Sequence, residues 1–85
     1  VKVVIVDISA VPLLDMTALA ALDNVLRDYR KQHVGLVLVG TSSRVRLKLR
    51  RAGILREEGH LAYVQNLEQA RAKALSWLEP ASVND

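Results

Sequence analysis

The residues that could do chemistry gather at one point of this chain, the stretch LLDMTALAAL at residues 13–22. Thr17 follows Asp15 by two positions, where an apolar strand-like run gives way to a helix-like run. A threonine hydroxyl at a helix start could carry a phosphate, although Asp15 nearby would oppose the added negative charge. Asp7 ends the preceding run, so a carboxylate pair with Asp15 is conceivable. Because Asp7 also fits a strand end and Asp15 a helix cap, we predict no catalytic residue and no enzyme activity.

The sequence contains few side chains that could bind a metal or a cofactor. The 85 residues include no cysteine, and the two histidines, His33 and His60, stand far apart in the sequence. We therefore predict no metal site and no thiol chemistry. The sequence contains neither GxxxxGK[ST] nor GxGxxG, so nucleotide binding has no support beyond the short VGTSS turn at residues 39–43, and we predict no cofactor.

Helix starts offer a second kind of site, because their free N–H groups attract anions. One predicted start covers residues 15–18 and the other covers residues 41–44, just after the apolar run LVLVG. Both should lie at the same edge of a parallel sheet, where ligands of α/β proteins usually bind. The cap candidates are Asp15, Thr41, Ser42 and Ser43. A shared anion site and two ordinary caps are both compatible with this pattern, and we favour the ordinary caps.

Positive charge is concentrated in one segment, although the net charge of the chain is only +3. Residues 42–56 carry six basic residues and no acid, whereas the rest of the chain carries six basic and nine acidic residues. Helical spacing places Val45, Leu49 and Ala52 on one stripe facing the sheet and leaves Leu47 among arginines. This face is either a solvated surface or a docking surface for an acidic partner. The proposed docking residues are Arg44, Leu47, Lys48, Arg50 and Arg51.

Acidic protein, anionic lipid and nucleic acid could all meet such a face. We predict no nucleic-acid partner, because the outside of the segment has no aromatic side chain on which bases could stack.

The remaining pattern alternates strands and helices within one small domain over residues 1–79, followed by a disordered tail at 80–85. VKVVIVDI at residues 1–8 is typical of a strand buried on both faces of a sheet, and LAYVQ at 61–65 is a weaker strand. NLEQARAKALSWL at 66–78 predicts a helix with a capping box at Asn66 and Gln69 and one face formed by Leu67, Ala70, Ala74 and Leu78. No stretch reaches the roughly 20 apolar residues that a membrane helix requires.

These features, in this order, resemble the STAS domain, named for sulfate transporters and anti-sigma factor antagonists. The resemblance covers residues 1–78 and rests on the strand ending in DIS, the Asp15-x-Thr17 helix start, LVLVG, VRLKLRRAGI and the last helix beginning NLEQA. It implies an α/β fold with a mixed sheet, helices mainly on one face, and one or two family strands missing ahead of Val1. Thr17 occupies the position that is phosphorylated in the antagonists, while Ala18 replaces their glycine.

The arginine-rich segment and RRAGI look more like the STAS domain of bacterial SulP anion transporters. That resemblance implies a non-catalytic regulatory and interaction domain at the cytoplasmic face of the bacterial inner membrane. The implied partners are the membrane domain of its own transporter, an acidic protein such as acyl carrier protein, and a second copy of the domain. The alternative is a stand-alone anti-sigma factor antagonist that acts as a phosphorylation switch.

Overall fold

The computed structural model describes residues 2–10 and 15–78. Along the chain these residues form β1 (Lys2–Asp7), α1 (Met16–Gln32), β2 (Val34–Val39), α2 (Ser43–Arg51), β3 (Leu61–Val64) and α3 (Leu67–Leu78). The predicted alternation of strands and helices is therefore confirmed. The connection containing Pro12 and the predicted tail at 80–85 lie outside the described residues.

The three strands form one sheet in the order β1-β2-β3, and both pairings are parallel. Leu36 of the central strand β2 is aligned with Val4 of β1 and with Leu61 of β3. All six residues of β2 are buried, whereas those of β1 are half-buried or exposed. The predicted burial of the first strand on both faces is only partial: Val4 packs on one face and Val3 and Ile5 on the other, but no residue of β1 is fully buried. Among the described strands, β1 is paired with β2 alone and lies at the edge of the sheet.

Side chains of β2 alternate between two hydrophobic clusters, one on each face of the sheet. Leu36 and Leu38 pack with Leu49 and Ile54 beneath α1 and α2. Val37 and Val39 pack with Ala70 of α3 on the other face. Two of the three helices thus cover one face of the sheet, and α3 covers the other. The predicted α/β fold is confirmed, but the three described strands form a wholly parallel sheet, whereas a mixed sheet was expected.

Helix ends follow local backbone chemistry. The cap of α1 at its C-terminus is His33, which adopts the left-handed conformation at φ 59° and donates its N–H to the carbonyl groups of Arg30 and Tyr29. Helix α2 ends at Arg51, and Gly53 then turns the chain with φ +81°. A glycine stands here because it adopts the left-handed conformation after a helix most easily.

On α2 and α3, fewer residues are buried than the sequence predicted. Ala52 is exposed, because it follows the last residue of α2 as its C-cap rather than lying inside the helix. On α3 the buried residues are Ala70 and Ala74, whereas Leu67 is 60% and Leu78 is 47% exposed. Trp77 instead packs against the cluster beneath α3, since a large ring reaches the sheet from the flank of the helix.

Candidate partner-binding site

The start of α1 places Asp15 and Thr17 in different roles. Asp15 has extended backbone and its Oδ1 accepts a hydrogen bond from the Ala18 N–H at 2.8 Å, so it is the N-cap, as predicted. Thr17 is the second residue of the helix, and its side chain is exposed. The Thr17 side chain is thus accessible at a helix N-terminus that another residue caps.

The three candidate N-cap residues of α2 also have different roles in the structure. Ser42 is the N-cap, with its Oγ accepting a hydrogen bond from the Val45 N–H at 3.2 Å. Ser43 is the first helical residue, and its Oγ accepts from the Arg46 guanidinium at 3.3 Å. Thr41 is only 4% exposed, and its hydroxyl has no hydrogen-bond partner among the described residues. The hydroxyl of Thr41 is therefore enclosed by the fold and does not cap the helix.

The carboxyl edge of the sheet brings Asp7 and Ser9 beside the turn that leads into α2. Asp7 Oδ1 accepts hydrogen bonds from the Ser9 hydroxyl at 2.6 Å and the Ser9 N–H at 2.8 Å, and these bonds lower the pKa of Asp7. Gly40 has φ +79°, and a Cβ at this position would lie 2.5 Å from the Ser9 Cβ. The Asp7 carboxylate is thus engaged locally with Ser9, while that of Asp15 is engaged with the N–H of Ala18.

A groove runs along one flank of α2, with a cavity volume of about 560 Å³. One wall consists of Ser43, Arg46, Leu47 and Arg50 from the helix, and the remaining lining comes from Ile54, Leu55, Arg56 and Tyr63. The polypeptide forms this groove because Gly53 reverses the chain after α2 and returns residues 54–56 beside the helix.

The groove divides the docking residues predicted from the sequence. Leu47 and Arg50 line it, whereas Arg44, Lys48 and Arg51 do not. Successive residues of a helix turn by about 100°, so these last three residues form a separate stripe on the other flank of the buried Leu49. We call the stripe formed by Arg44, Lys48 and Arg51 the outer flank.

Sequence reasoning missed several lining residues. Arg46 and Arg56 belong to the basic segment but were not predicted as docking residues, Tyr63 was predicted only as part of a strand, and Leu55 was not singled out. The spacing of Ser43, Arg46, Leu47 and Arg50 along α2 was an available signal, because residues three and four apart share a helix face. Nothing local in the sequence signals that Leu55 and Arg56 complete the opposite wall, or that Ile54 and Tyr63 form the floor between the two walls.

The floor of the groove is held by one hydrogen bond. The Tyr63 hydroxyl donates to the backbone carbonyl of Ile54 at 2.9 Å, which joins β3 to the chain leaving α2. Burial raises the pKa of Tyr63, while the positive charges of Arg56 and Arg50 act in the opposite direction. Both guanidinium groups therefore exert their field at the floor of the groove.

The segment between α2 and β3 is fixed from two sides. Arg30 of α1 pairs with Glu57 through two hydrogen bonds, at 3.2 and 2.5 Å. Glu58 accepts a hydrogen bond from the Trp77 indole N–H at 2.5 Å and lies 3.6 Å from the Lys73 ammonium. Since both acids are already paired within the fold, they do not neutralise the arginines of the groove.

Three arginines of α2 are thus not neutralised by acidic residues of the described part of the chain. Among the residues that the structure describes, Arg44, Arg50 and Arg51 form no ion pair, and no acidic residue lines the groove. Leu47 is 42% exposed and Leu55 is 61% exposed beside these cations. Exposed leucines among unpaired arginines are suited to contact with an anionic, partly apolar surface.

The fold and this surface together define a small α/β domain with a basic, partly apolar surface along α2. The family model of the STAS domain matches residues 1–74, and the chain belongs to this family. A search of curated proteins found no match to the chain. STAS domains are generally non-catalytic, and membership indicates a regulatory or interaction role. None of the helices within residues 2–10 and 15–78 is long and apolar enough to cross a membrane.

Proposed function

We propose that this chain is the STAS domain of a SulP-type secondary anion transporter and docks an acidic partner protein through α2. The observation that carries the proposal is the set of α2 arginines without acidic partners in the described part of the chain, together with the exposed Leu47. Arginine binds carboxylates in a bidentate geometry, and electrostatic complementarity speeds the association of oppositely charged proteins. Acyl carrier protein is an acidic partner of the required kind.

The docking proposal is tested by reversing charge on α2. Arg44→Glu, Arg50→Glu and Arg51→Glu in one triple variant should abolish measurable binding in a titration with purified acyl carrier protein. The matched control is the triple variant Lys2→Glu, Lys31→Glu and Arg71→Glu, which makes the same charge change at exposed residues outside α2. Equal affinity in the two triple variants would contradict docking through α2.

The transporter context places the domain at the cytoplasmic face of the bacterial inner membrane, beside the membrane domain of the same polypeptide. The reading frame that encodes the chain tests this proposal. Several apolar segments of about 20 residues encoded ahead of Val1 support the transporter. A short frame that adds only one or two strands contradicts the transporter and supports the stand-alone antagonist.

The second candidate function is a phosphorylation switch, and the exposure of Thr17 at the start of α1 favours it. A phosphate there would lie near the positive end of the helix dipole. The protein isolated from its native cells would then carry a modification at Thr17 that mass spectrometry detects and that Thr17→Ala removes. Unmodified Thr17 under all growth conditions would exclude the switch.

A second copy of the domain is a further proposed partner, because α3 exposes Leu67, Leu75 and Leu78. Sedimentation equilibrium over a range of concentrations measures this association directly. A single monomeric mass at all concentrations would contradict it.

A further inference from the structure

The shape of the groove restricts what can occupy it. Its helical wall extends from Ser43 through Leu47 to Arg50, and Ile54 continues the lining beyond the end of the helix. Nine residues of α helix span about 13 Å, so the groove accompanies α2 over nearly its whole length. An elongated occupant uses this length, whereas a small inorganic anion uses only one end.

The chemistry of the groove restricts the occupant further. Arg46, Arg50 and Arg56 contribute three guanidinium groups, while the described lining contains no carboxylate. Leu47 and Leu55 flank the same opening with exposed side chains, above a floor formed by Ile54 and Tyr63. An occupant must therefore combine negative charge with at least one apolar side chain.

We propose that the groove binds an acidic amphipathic helix from a partner protein. One apolar side chain of that helix lies between Leu47 and Leu55, and its carboxylates face the three arginines of the groove. A helix presents residues three and four positions apart on one side, which places apolar and acidic side chains together along a groove of this length. The inference rests on the proposed docking function and assigns it to the groove flank of α2 rather than to the outer flank.

Two double variants with reversed charge distinguish binding at the groove from binding at the outer flank. Arg46→Glu with Arg50→Glu alters the groove, and Arg44→Glu with Arg51→Glu alters the outer flank. Both pairs lie on the same helix and change the net charge by the same amount, so a general effect of charge is equal in the two variants. An apolar pair of variants complements them: Leu55→Ser changes the rim of the groove, and Leu67→Ser changes a leucine of similar exposure on α3.

The experiment begins with selection of random 14-residue peptides displayed on phage, using the whole chain as bait. We expect the selected peptides to be enriched in Asp and Glu and to carry Leu, Ile or Phe at helical spacing. Fluorescence anisotropy then measures the Kd of one selected peptide for each variant at low and at physiological salt. We expect the groove pair to raise Kd at least about tenfold and the outer-flank pair less than about threefold.

The apolar variants give an independent result. Leu55→Ser should weaken binding by about tenfold, because it removes one of the two leucines between which the apolar side chain of the partner helix lies. Leu67→Ser should leave Kd unchanged. Since Leu55 and Leu67 are 61% and 60% exposed, neither change disturbs the core, and circular dichroism verifies that each variant is folded.

The outcomes distinguish the groove from the wider docking proposal. Selected peptides without acidic enrichment, or a selection that gives no binder, would overturn the groove inference. Acidic peptides that lose affinity equally in both charge-reversal pairs would also overturn it, but docking through α2 would stand. Acidic peptides unaffected by either pair would overturn both proposals.

Discussion

Arg30 and Glu57, which are 27 positions apart, form a two-pronged ion pair between the last turn of α1 and the segment that precedes β3. Arg30 Nη1 donates to Glu57 Oε2 at 3.2 Å, and Arg30 Nη2 donates to Glu57 Oε1 at 2.5 Å. The same segment carries Leu55 and Arg56, which line the groove. The pair therefore positions one wall of the candidate site from a helix that does not itself line it.

This pair makes stability depend on pH. Hydrogen bonds and positive charge from Arg30 hold the pKa of Glu57 below its ordinary value of 4.5. A carboxylate with a lowered pKa in the folded state stabilises the fold above the pKa it has in the unfolded chain, and this contribution is lost as the pH falls through the folded pKa. We expect the free energy of unfolding to fall below about pH 4.5, and Glu57→Gln should make this fall shallower.

Chemical denaturation at a series of pH values measures the effect. Arg30→Gln should give the same shallow profile as Glu57→Gln, and the double variant should add nothing further, because the two residues act as one pair. Arg27→Gln is the control, since Arg27 pairs with Asp23 instead and leaves Glu57 untouched. A profile of Glu57→Gln as steep as that of the wild type would contradict this prediction.

The hydroxyl of Tyr63 should contribute measurably to stability. It donates to the Ile54 carbonyl at 2.9 Å, so Tyr63→Phe leaves this carbonyl without its partner. We expect Tyr63→Phe to lower the free energy of unfolding by about 0.5–1.5 kcal/mol in urea denaturation. Tyr29→Phe is the matched control, because Tyr29 packs against the same cluster but is not bonded to Ile54. Equal losses in the two variants would mean that the bond to Ile54 has no particular value.

Gly35 should not tolerate a side chain. A Cβ at this position would lie 2.7 and 2.8 Å from Trp77 ring carbons and 2.9 Å from the Gly59 carbonyl oxygen. We expect Gly35→Ala to destabilise the fold by about 1–3 kcal/mol and to change the fluorescence of Trp77, because the ring must shift. Adding Trp77→Leu to Gly35→Ala should recover part of the lost stability, because it removes the clash with the ring. The recovery should be incomplete, because the clash with the Gly59 carbonyl oxygen remains. A neutral Gly35→Ala variant would contradict the tight packing of α3 on β2.

Much of the fold could be predicted because hydrophobic periodicity reports which side of an element is buried. It predicted the order of strands and helices and a stripe of α2 facing the sheet, in which Leu49 is buried, Val45 half-buried and Ala52 exposed. It could not distinguish the burial of β1 from that of β2, since both are apolar runs and only their places in the sheet differ. Three neighbouring hydroxyl residues at the start of α2 could each cap the helix, and nothing in the sequence distinguishes Ser42 from Thr41 and Ser43.

The candidate site was harder to predict than the fold. The basic segment was evident from composition, but the division of α2 into a groove flank and an outer flank depends on residues from other elements. Leu55, Arg56 and Tyr63 reach the groove only because the chain turns at Gly53 and β3 lies beside β2. Such contacts arise from tertiary structure, and the spacing of residues along the sequence does not predict them.

The start of α1 gives the last prediction, which separates capping from phosphorylation. Asp15 Oδ1 accepts the Ala18 N–H, and without it this donor at the helix start loses its side-chain partner. Asp15→Ala should therefore lower the free energy of unfolding by about 0.5–2 kcal/mol. Thr17 is exposed in the first turn, so Thr17→Ala should cost less than about 0.5 kcal/mol.

Urea denaturation of both variants and of Asp15→Asn provides the measurement. Asparagine caps helices about as well as aspartate, so Asp15→Asn should retain most of the stability that Asp15→Ala loses. If Thr17→Ala proves the costlier change, then Thr17 rather than Asp15 holds the helix start, and phosphorylation at Thr17 would disrupt the fold. If the expected order holds, the Thr17 hydroxyl is dispensable for folding, and a modification there could change binding without unfolding the domain.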